Sequence, residues 1–188
     1  MKNKKTALSL ILLMVLAVTA CAQQYDPESD FRVQRFDGDG GGVEIIAYLG
    51  NKKVVRIPPR INNQPVRGIV SDTFEGKQLT SVTIPNNVVR IETGAFANNQ
   101  ITSVTIPNSV TSLDGFENNQ ITSVTIPNGV TNIYVGTFAN NPLTSITIPS
   151  NVEIDSGAFT GDFVNVYKKN NRAGGTYRAD ANGKWRKE

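Results

Sequence analysis

Between residues 79 and 159 apolar and polar positions come in short bursts that return at a fixed interval. The phrase ITSVTIPN stands at 101–108 and again at 121–128, with LTSVTIPN at 79–86 and LTSITIPS at 143–150. In each phrase the apolar positions fall as in Leu79, Val82 and Ile84, a proline closes the run, and a second burst follows, as in Val88, Ile91 and Phe96. The Ile-Pro pair recurs at 57–58, 84–85, 106–107, 126–127 and 148–149, and Phe74, Phe96, Phe116, Phe138 and Phe159 are 22, 20, 22 and 21 residues apart. Neither burst has the i, i+3, i+4, i+7 spacing of an amphipathic helix, and both are rich in β-branched residues, so they predict short extended segments. One unit of this size cannot enclose its own apolar side chains. Stacked copies can, each burying its apolar face against the next at a strand spacing of about 4.8 Å. Proline, lacking an N–H, ends the ladder and turns the chain.

Three units place an asparagine three residues after the phenylalanine, at Asn99, Asn119 and Asn141. A turn asparagine satisfies backbone groups at a corner, so these read as a stacked ladder belonging to the architecture. Written out, LTSVTIPNN fits L-x-x-L-x-L-x-x-N at Leu79, Val82, Ile84 and Asn87, the pattern of a leucine-rich repeat. More closely, LTSVTIPNNVVRIETGAFANNQ and its sister units resemble the BspA-like leucine-rich repeat family of bacterial surface lipoproteins and adhesins. GGVEIIAYLGNKKVVRIPPRINNQPVRGI is similar to the leading segment of that family, and VYKKNNRAGGTYRADANGKW to its C-terminal cap. The resemblance runs from about residue 33 to the end of the chain. Family units often carry a cysteine in the turn where this chain has asparagine. The third unit, VTSLDGF at 110–116, is two residues short, which is expected to disturb the outer face there.

The expected fold is a mainly β repeat protein: a leucine-rich repeat solenoid of about five coils of 20–22 residues, with a parallel sheet on one face and β-hairpin caps at both ends. Its expected organisation is a signal peptide at 1–20, a lipidated spacer at 21–30, an N-terminal hairpin cap at 31–57, repeats at 54–163 and a basic cap at 164–188. In the leader, Lys2, Lys4 and Lys5 precede the apolar run ALSLILLMVLAVTA and the single cysteine, Cys21. The run is too short to span a bilayer, and Val18, Thr19 and Ala20 before the cysteine resemble a lipobox, with acylation at Cys21. The alternative is cleavage after Ala22 at an A-x-A site, giving a free product. With one cysteine no internal disulfide forms, so burial and backbone hydrogen bonds must hold the fold.

Processing removes three of 19 basic residues and leaves 16 against 16 acidic ones, so the mature chain is formally neutral. The charges are unevenly spread: residues 71–163 carry eight acids and two bases, and 168–188 carry two acids and seven bases. The basic end suits phosphate, anionic glycan or lipid headgroups, or else is a solvated capping segment. Histidine is absent from the sequence, which excludes Ser-His-Asp and Cys-His catalysis and ordinary zinc sites. The carboxylates fall at non-equivalent repeat positions, and DGDGGG at 37–42 lacks the later ligands of a calcium loop, so it reads as a hairpin turn. A non-enzymatic, monomeric binding module is expected, with no cofactor, no metal and no nucleic-acid partner.

Within LTSVTI the outward residues are Thr80, Ser81 and Thr83, and the same register holds in the sister units. It predicts a hydroxyl-covered sheet about four strands wide, with Thr83, Thr105, Thr125 and Thr147 in line. Such a face either stabilises itself by cross-strand pairing or offers a partner a neutral surface. Where a sister unit has Glu92 and Thr93, the fourth has Tyr134 and Val135, and an exposed aromatic on the outer turn is a favoured contact residue. Tyr177 and Trp185 are expected to shield the last coil. The family resemblance implies adhesion to a protein or glycan of host matrix, host cell or another bacterium, with membrane attachment through the lipid. The alternative is a structural or assembly role in the cell envelope without a host ligand.

Overall fold

The computed structural model describes residues 25–188. The signal peptide at 1–20 and the acylation site Cys21 lie outside the described residues. The chain opens with β1 (Phe31–Arg35) and β2 (Val43–Tyr48), an antiparallel hairpin whose turn runs through Gly40, Gly41 and Gly42, all at positive φ. The glycine-rich stretch is therefore the hairpin turn that its composition predicts. Strand β2 pairs in parallel with β5 (Gln64–Ile69) and so starts the solenoid; β3 (Val54–Arg56) and β4 (Arg60–Ile61) lie between them in the chain.

Five coils follow, ending at Phe74, Phe96, Phe116, Phe138 and Phe159, and they are numbered one to five here. Each contributes up to two short strands. The first burst gives β6 (Ser81–Thr83), β9 (Ser123–Thr125) and β11 (Ser145–Ile148). The second gives β7 (Arg90–Ile91), β8 (Ser112–Leu113), β10 (Asn132–Ile133) and β12 (Glu153–Ile154). The carbonyls of Pro85, Pro107 and Pro127 each accept from the N–H three residues later, at Val88, Val110 and Val130, so proline opens the turn between the two bursts. The continuous sheet runs β1-β2-β5-β7-β8-β10-β12 and is built from the second burst.

The five phenylalanines form one column along the solenoid axis. Neighbouring rings stack at 5.0, 5.1, 5.5 and 5.5 Å between centroids, within 18° of parallel. Each ring is buried, an arrangement worth about 0.5–1.5 kcal/mol per pair beyond the area removed from water. The column closes at both ends on rings turned against it: Phe31 on Phe74 at 6.5 Å, and Phe163 on Phe159 at 4.9 Å.

The C-terminal cap contains the antiparallel hairpin expected and one element more. It begins with a helix, Phe163–Lys169, before β13 (Gly175–Ala179) and β14 (Trp185–Lys187). Phe163, Val164 and Tyr167 bury one side of that helix, three apolar positions that are too few to stand out in the sequence. Trp185 packs on Phe163 at 5.3 Å and Tyr177 is fully buried. The Tyr167 hydroxyl donates to the Pro149 carbonyl at 2.8 Å and accepts from the Val152 N–H at 3.0 Å, locking the helix to the last coil. Within 21–30, the segment expected as a lipidated spacer, residues 26–30 lie against the folded body. Asp26 is buried, accepts from the Arg56 N–H at 2.8 Å and pairs with Lys52 at 2.6 Å, while Glu28 accepts from the Asn62 N–H. The folded body thus takes in residues 26–30, because a buried carboxylate must be met by donors.

Candidate functional site

Two asparagine ladders run along one corner. Asn99, Asn119 and Asn141 are buried. Asn119 accepts from the Ile101 N–H at 3.0 Å and donates to the carbonyls of Phe96 and Phe116 at 2.9 and 3.2 Å, so a single side chain stitches two coils. Asn99 and Asn141 repeat the pattern. Beside them Asn98, Asn118 and Asn140 lie exposed at φ of 54–57°, each amide bonded to the next at 2.8 Å. Asparagine tolerates that left-handed backbone better than most residues. The inner ladder spends its oxygens and amides on backbone groups, and its reading as architecture stands.

The threonine face is not the unbroken sheet expected. Strands β3 and β6 form one piece, and β9, β11, β13 and β14 another. Between them the first burst of coil three, 101–107, has no strand pairing. Coil three keeps contact at Gln100 and Ile101, through Gln100 N–H to Leu79 O and Gln120 N–H to Ile101 O. Among the described residues the amides of 102–106 then have no backbone partner. Val104 is half-buried where Val82, Val124 and Ile146 are buried. A coil two residues shorter than its neighbours cannot stay in register with them round its whole circumference, and register is lost here.

Thr105 and Thr125 are exposed, and Thr83 and Thr147 half-buried. The Thr147 hydroxyl is engaged with Thr176 of the cap at 3.0 Å, while those of Thr83, Thr105 and Thr125 have no partner among the described residues. The cross-strand threonine pairing weighed from sequence is thus confined to the capped end. Two open grooves of about 680 and 510 Å³ flank the 103–105 segment, one against Ser81–Asn87 and one against Ser123–Thr125. What the face offers is hydroxyls and free backbone groups, the means to hydrogen-bond an extended polypeptide or a glycan.

Tyr134 and Val135 are exposed on the outer turn, as their departure from the repeat predicts. They overlook a depression that sequence reasoning missed. Coils two and four close their outer turns with Glu92 O to Ala95 N–H and Tyr134 O to Thr137 N–H bonds. Coil three, two residues short, uses the Asp114 side chain instead: it accepts from Gly115 N–H at 2.6 Å, Thr93 at 2.9 Å and Thr137 at 3.1 Å. Gly115 has φ of 82°, and a Cβ there would sit 2.4 Å from the Glu92 carbonyl oxygen, so the shortened turn presses on coil two. The two-residue gap at 110–116 was the signal available; its depth was not.

Asp37 of the hairpin turn is spoken for. Arg90 Nη2 lies 3.0 Å from Asp37 and 2.6 Å from Glu44, with the guanidinium 5.1 Å from the Phe36 ring centre. Its Nε is 3.1 Å from Glu92, near enough to pair but not aligned as a hydrogen bond. The hydrogen bond to Glu44 raises the Arg90 pKa and keeps the cation fixed. In the basic cap Lys168 and Lys169 sit exposed in the last turn of the helix, and Arg172 pairs with Glu153.

The sequence matches, in six copies over 60–165, a family model described as a BspA type leucine rich repeat region. No curated protein matches the chain. Among solved structures, a leucine rich repeat protein of T. pallidum is 18% identical, with 78% of this chain and 95% of that one covered and a TM-score of 0.40. A leucine rich cell surface protein of Faecalibacterium prausnitzii is 19% identical, covering 88% of this chain and 61% of that one, with a TM-score of 0.47. A leucine-rich repeat protein of Bacteroides ovatus is 22% identical over 67% of this chain and 43% of that one, with a TM-score of 0.44.

Proposed function

We propose that this chain, which belongs to the BspA-type leucine-rich repeat family, is an exported lipoprotein that works as a protein-binding adhesin module on the cell surface. Repeat scaffolds of this type generally mediate protein interactions, and the family's surface members favour an extracellular location. No helix among the described residues is long and apolar enough to cross a membrane. The anchor in this reading is the lipid on Cys21, supported by the charged and apolar leader that precedes it. Cys21→Ala then leaves the membrane fraction, and wild-type protein that takes up no labelled fatty acid would remove the anchor from the proposal.

The ligand, a protein or glycan of host matrix, host cell or another bacterium, lies on the threonine face. The observation that carries this is the break at 102–106, where free backbone groups lie between exposed Thr105 and Thr125 and the hydroxyl of Thr83. Thr147, bonded to the cap, forms the rim. The test is adhesion of the full chain to matrix proteins, host cells and partner bacteria. Thr105→Lys with Thr125→Lys, both at exposed sites, is expected to abolish it while circular dichroism stays unchanged, and Tyr134→Ala to leave it intact. Full adhesion by the lysine variant rejects the threonine face. Protease that cuts the protein only after cell lysis rejects surface adhesion and favours the envelope role.

A further inference from the structure

We infer that the depression over the short outer turn of coil three is a second docking site, built for an arginine or lysine side chain presented by an extended segment of a partner polypeptide. Coils two and four stand two strand spacings apart, about 10 Å, and coil three lies low between them. Glu92 and Thr93 form one wall, Tyr134 and Val135 the other, and Ser112 and Asp114 the floor; the whole holds about 580 Å³. The gap is too narrow for a helix of about 10–12 Å but admits one long side chain. Its lining reaches from Ser71 of coil one to Asp155 of coil five. That is four coil steps, roughly 19 Å, or the length of five to six extended residues, which suits a polypeptide better than a small cation.

The lining chemistry selects the side chain. It contains three carboxylates, Glu92, Asp114 and Asp155, and no cation. Only Glu92 has an ion-pair partner among the described residues, Arg90. Asp114 is 8% exposed and is held entirely by neutral donors, so its charge is uncompensated. An anion is repelled here, and a wholly apolar group would strip water from exposed Asp155 without replacing it. Tyr134 and Val135, 49% and 66% exposed, are two of the five exposed large apolar residues of the described chain. A cation on an aliphatic stem answers both features: the stem covers Val135, the charge meets the carboxylates, and the Tyr134 ring adds a cation–π contact. The surrounding repeats, with eight acids to two bases over 71–163, steer a basic segment toward the site.

The test is fluorescence polarisation of a short labelled peptide with one central arginine between serines and glycines, against the same peptide with neutral citrulline, titrated with the full chain. Arginine is expected to bind about tenfold more tightly than citrulline, a difference of about 1.4 kcal/mol. Tyr134→Ala should weaken it about threefold, and Tyr134→Phe should not. Replacing 113–115 by the Ile-Glu-Thr-Gly-Ala of coil two fills the depression and should abolish binding. If that variant does not fold, Tyr134→Lys, at an exposed site, places a cation at the mouth and should weaken binding about tenfold. Equal binding of citrulline, or unchanged binding by the filled or Tyr134→Lys protein, overturns the site. Free arginine amide competing as well as the peptide overturns the polypeptide partner. Thr105→Lys with Thr125→Lys should leave the titration unmoved, which separates this site from the threonine face.

Discussion

On one face of the solenoid β7, β8, β10 and β12 pair without interruption, coil three included. On the threonine face the same coil leaves its neighbours, and the strands fall into two groups. Both faces are spelled by the same repeats, and the phrase that fails to pair, ITSVTIPN at 101–108, is letter for letter the one that pairs at 121–128. The cause therefore lies elsewhere in the coil, in the two residues missing before Phe116. A solenoid coil is a closed circumference, so a deletion on one side is felt on the other. The interior holds because its contacts are dense and directional: the phenylalanine column, the inner asparagines and buried Ile101 and Ile106 fix coil three on the axis. The first burst of coil three keeps those buried side chains and loses its backbone pairing.

If the interior is what keeps coil three in place, removing its ring should do more damage than any change outside. Phe116 stacks at 5.1 and 5.5 Å on Phe96 and Phe138, so Phe116→Ala is expected to cost about 3–5 kcal/mol. That is a large part of what a domain of this size has to spare. Urea unfolding gives the number; a midpoint close to wild type would mean that the column does not hold the coil.

The asparagines allow the same contrast at one corner. Asn119→Ala leaves the buried Ile101 N–H without a partner, while the Phe96 and Phe116 carbonyls keep Asn99 and Asn141, at about 1–3 kcal/mol. Asn118→Gly, next door and exposed, removes two surface bonds but relieves a φ of 54° and should fall within about 0.5 kcal/mol of wild type. Equal losses at the two positions would show that burial does not separate the ladders.

Much of this was legible in the sequence. The period, the proline turn, the column and the inner ladder each follow from residues that recur at one interval, and the glycine turn at 37–42 follows from composition. The helix Phe163–Lys169 was not, because about two turns with three buried apolar positions are too few to declare a period. The candidate sites were legible only as residues. Tyr134 stands out by breaking the repeat, yet the hollow beside it depends on how Asp114 folds inward. The break at 102–106 has no local signature, since the residues there are identical to a copy that pairs.

Refilling coil three tests whether its length decides the pairing. With 113–115 replaced by Ile-Glu-Thr-Gly-Ala, the outer turn of coil three has the length of those in the four other coils, and 102–106 should join β6 and β9. Hydrogen exchange reads this directly. In the wild type the amides of 102–106 are expected to exchange quickly beside slower ones in β9. In the refilled protein they should slow by about tenfold or more, as their opening comes to require breaking a ladder. Fast exchange in both would detach the break from the deletion.

The smallest effect concerns Glu117, at the end of the short turn. Desolvation by burial raises its carboxyl pKa, and the nearby charges of Asp114, Glu75 and Asp72 add to the rise. A carboxyl whose folded pKa lies above its unfolded one binds its proton more tightly in the native state. It therefore contributes stability that is fully present below the unfolded pKa and is lost as pH rises through the folded one. At neutral pH the ionised group is a mild burden on the row of like charges. Glu117→Gln should then be slightly more stable than wild type at neutral pH, by less than about 0.5 kcal/mol for a half-exposed site. The gain should fade as pH falls through the raised pKa, where the wild-type group is protonated too. Thermal melts across that range check the sign: a variant that loses stability at neutral pH, or gains it equally at all pH, would mean that the outer carboxylates do not crowd one another.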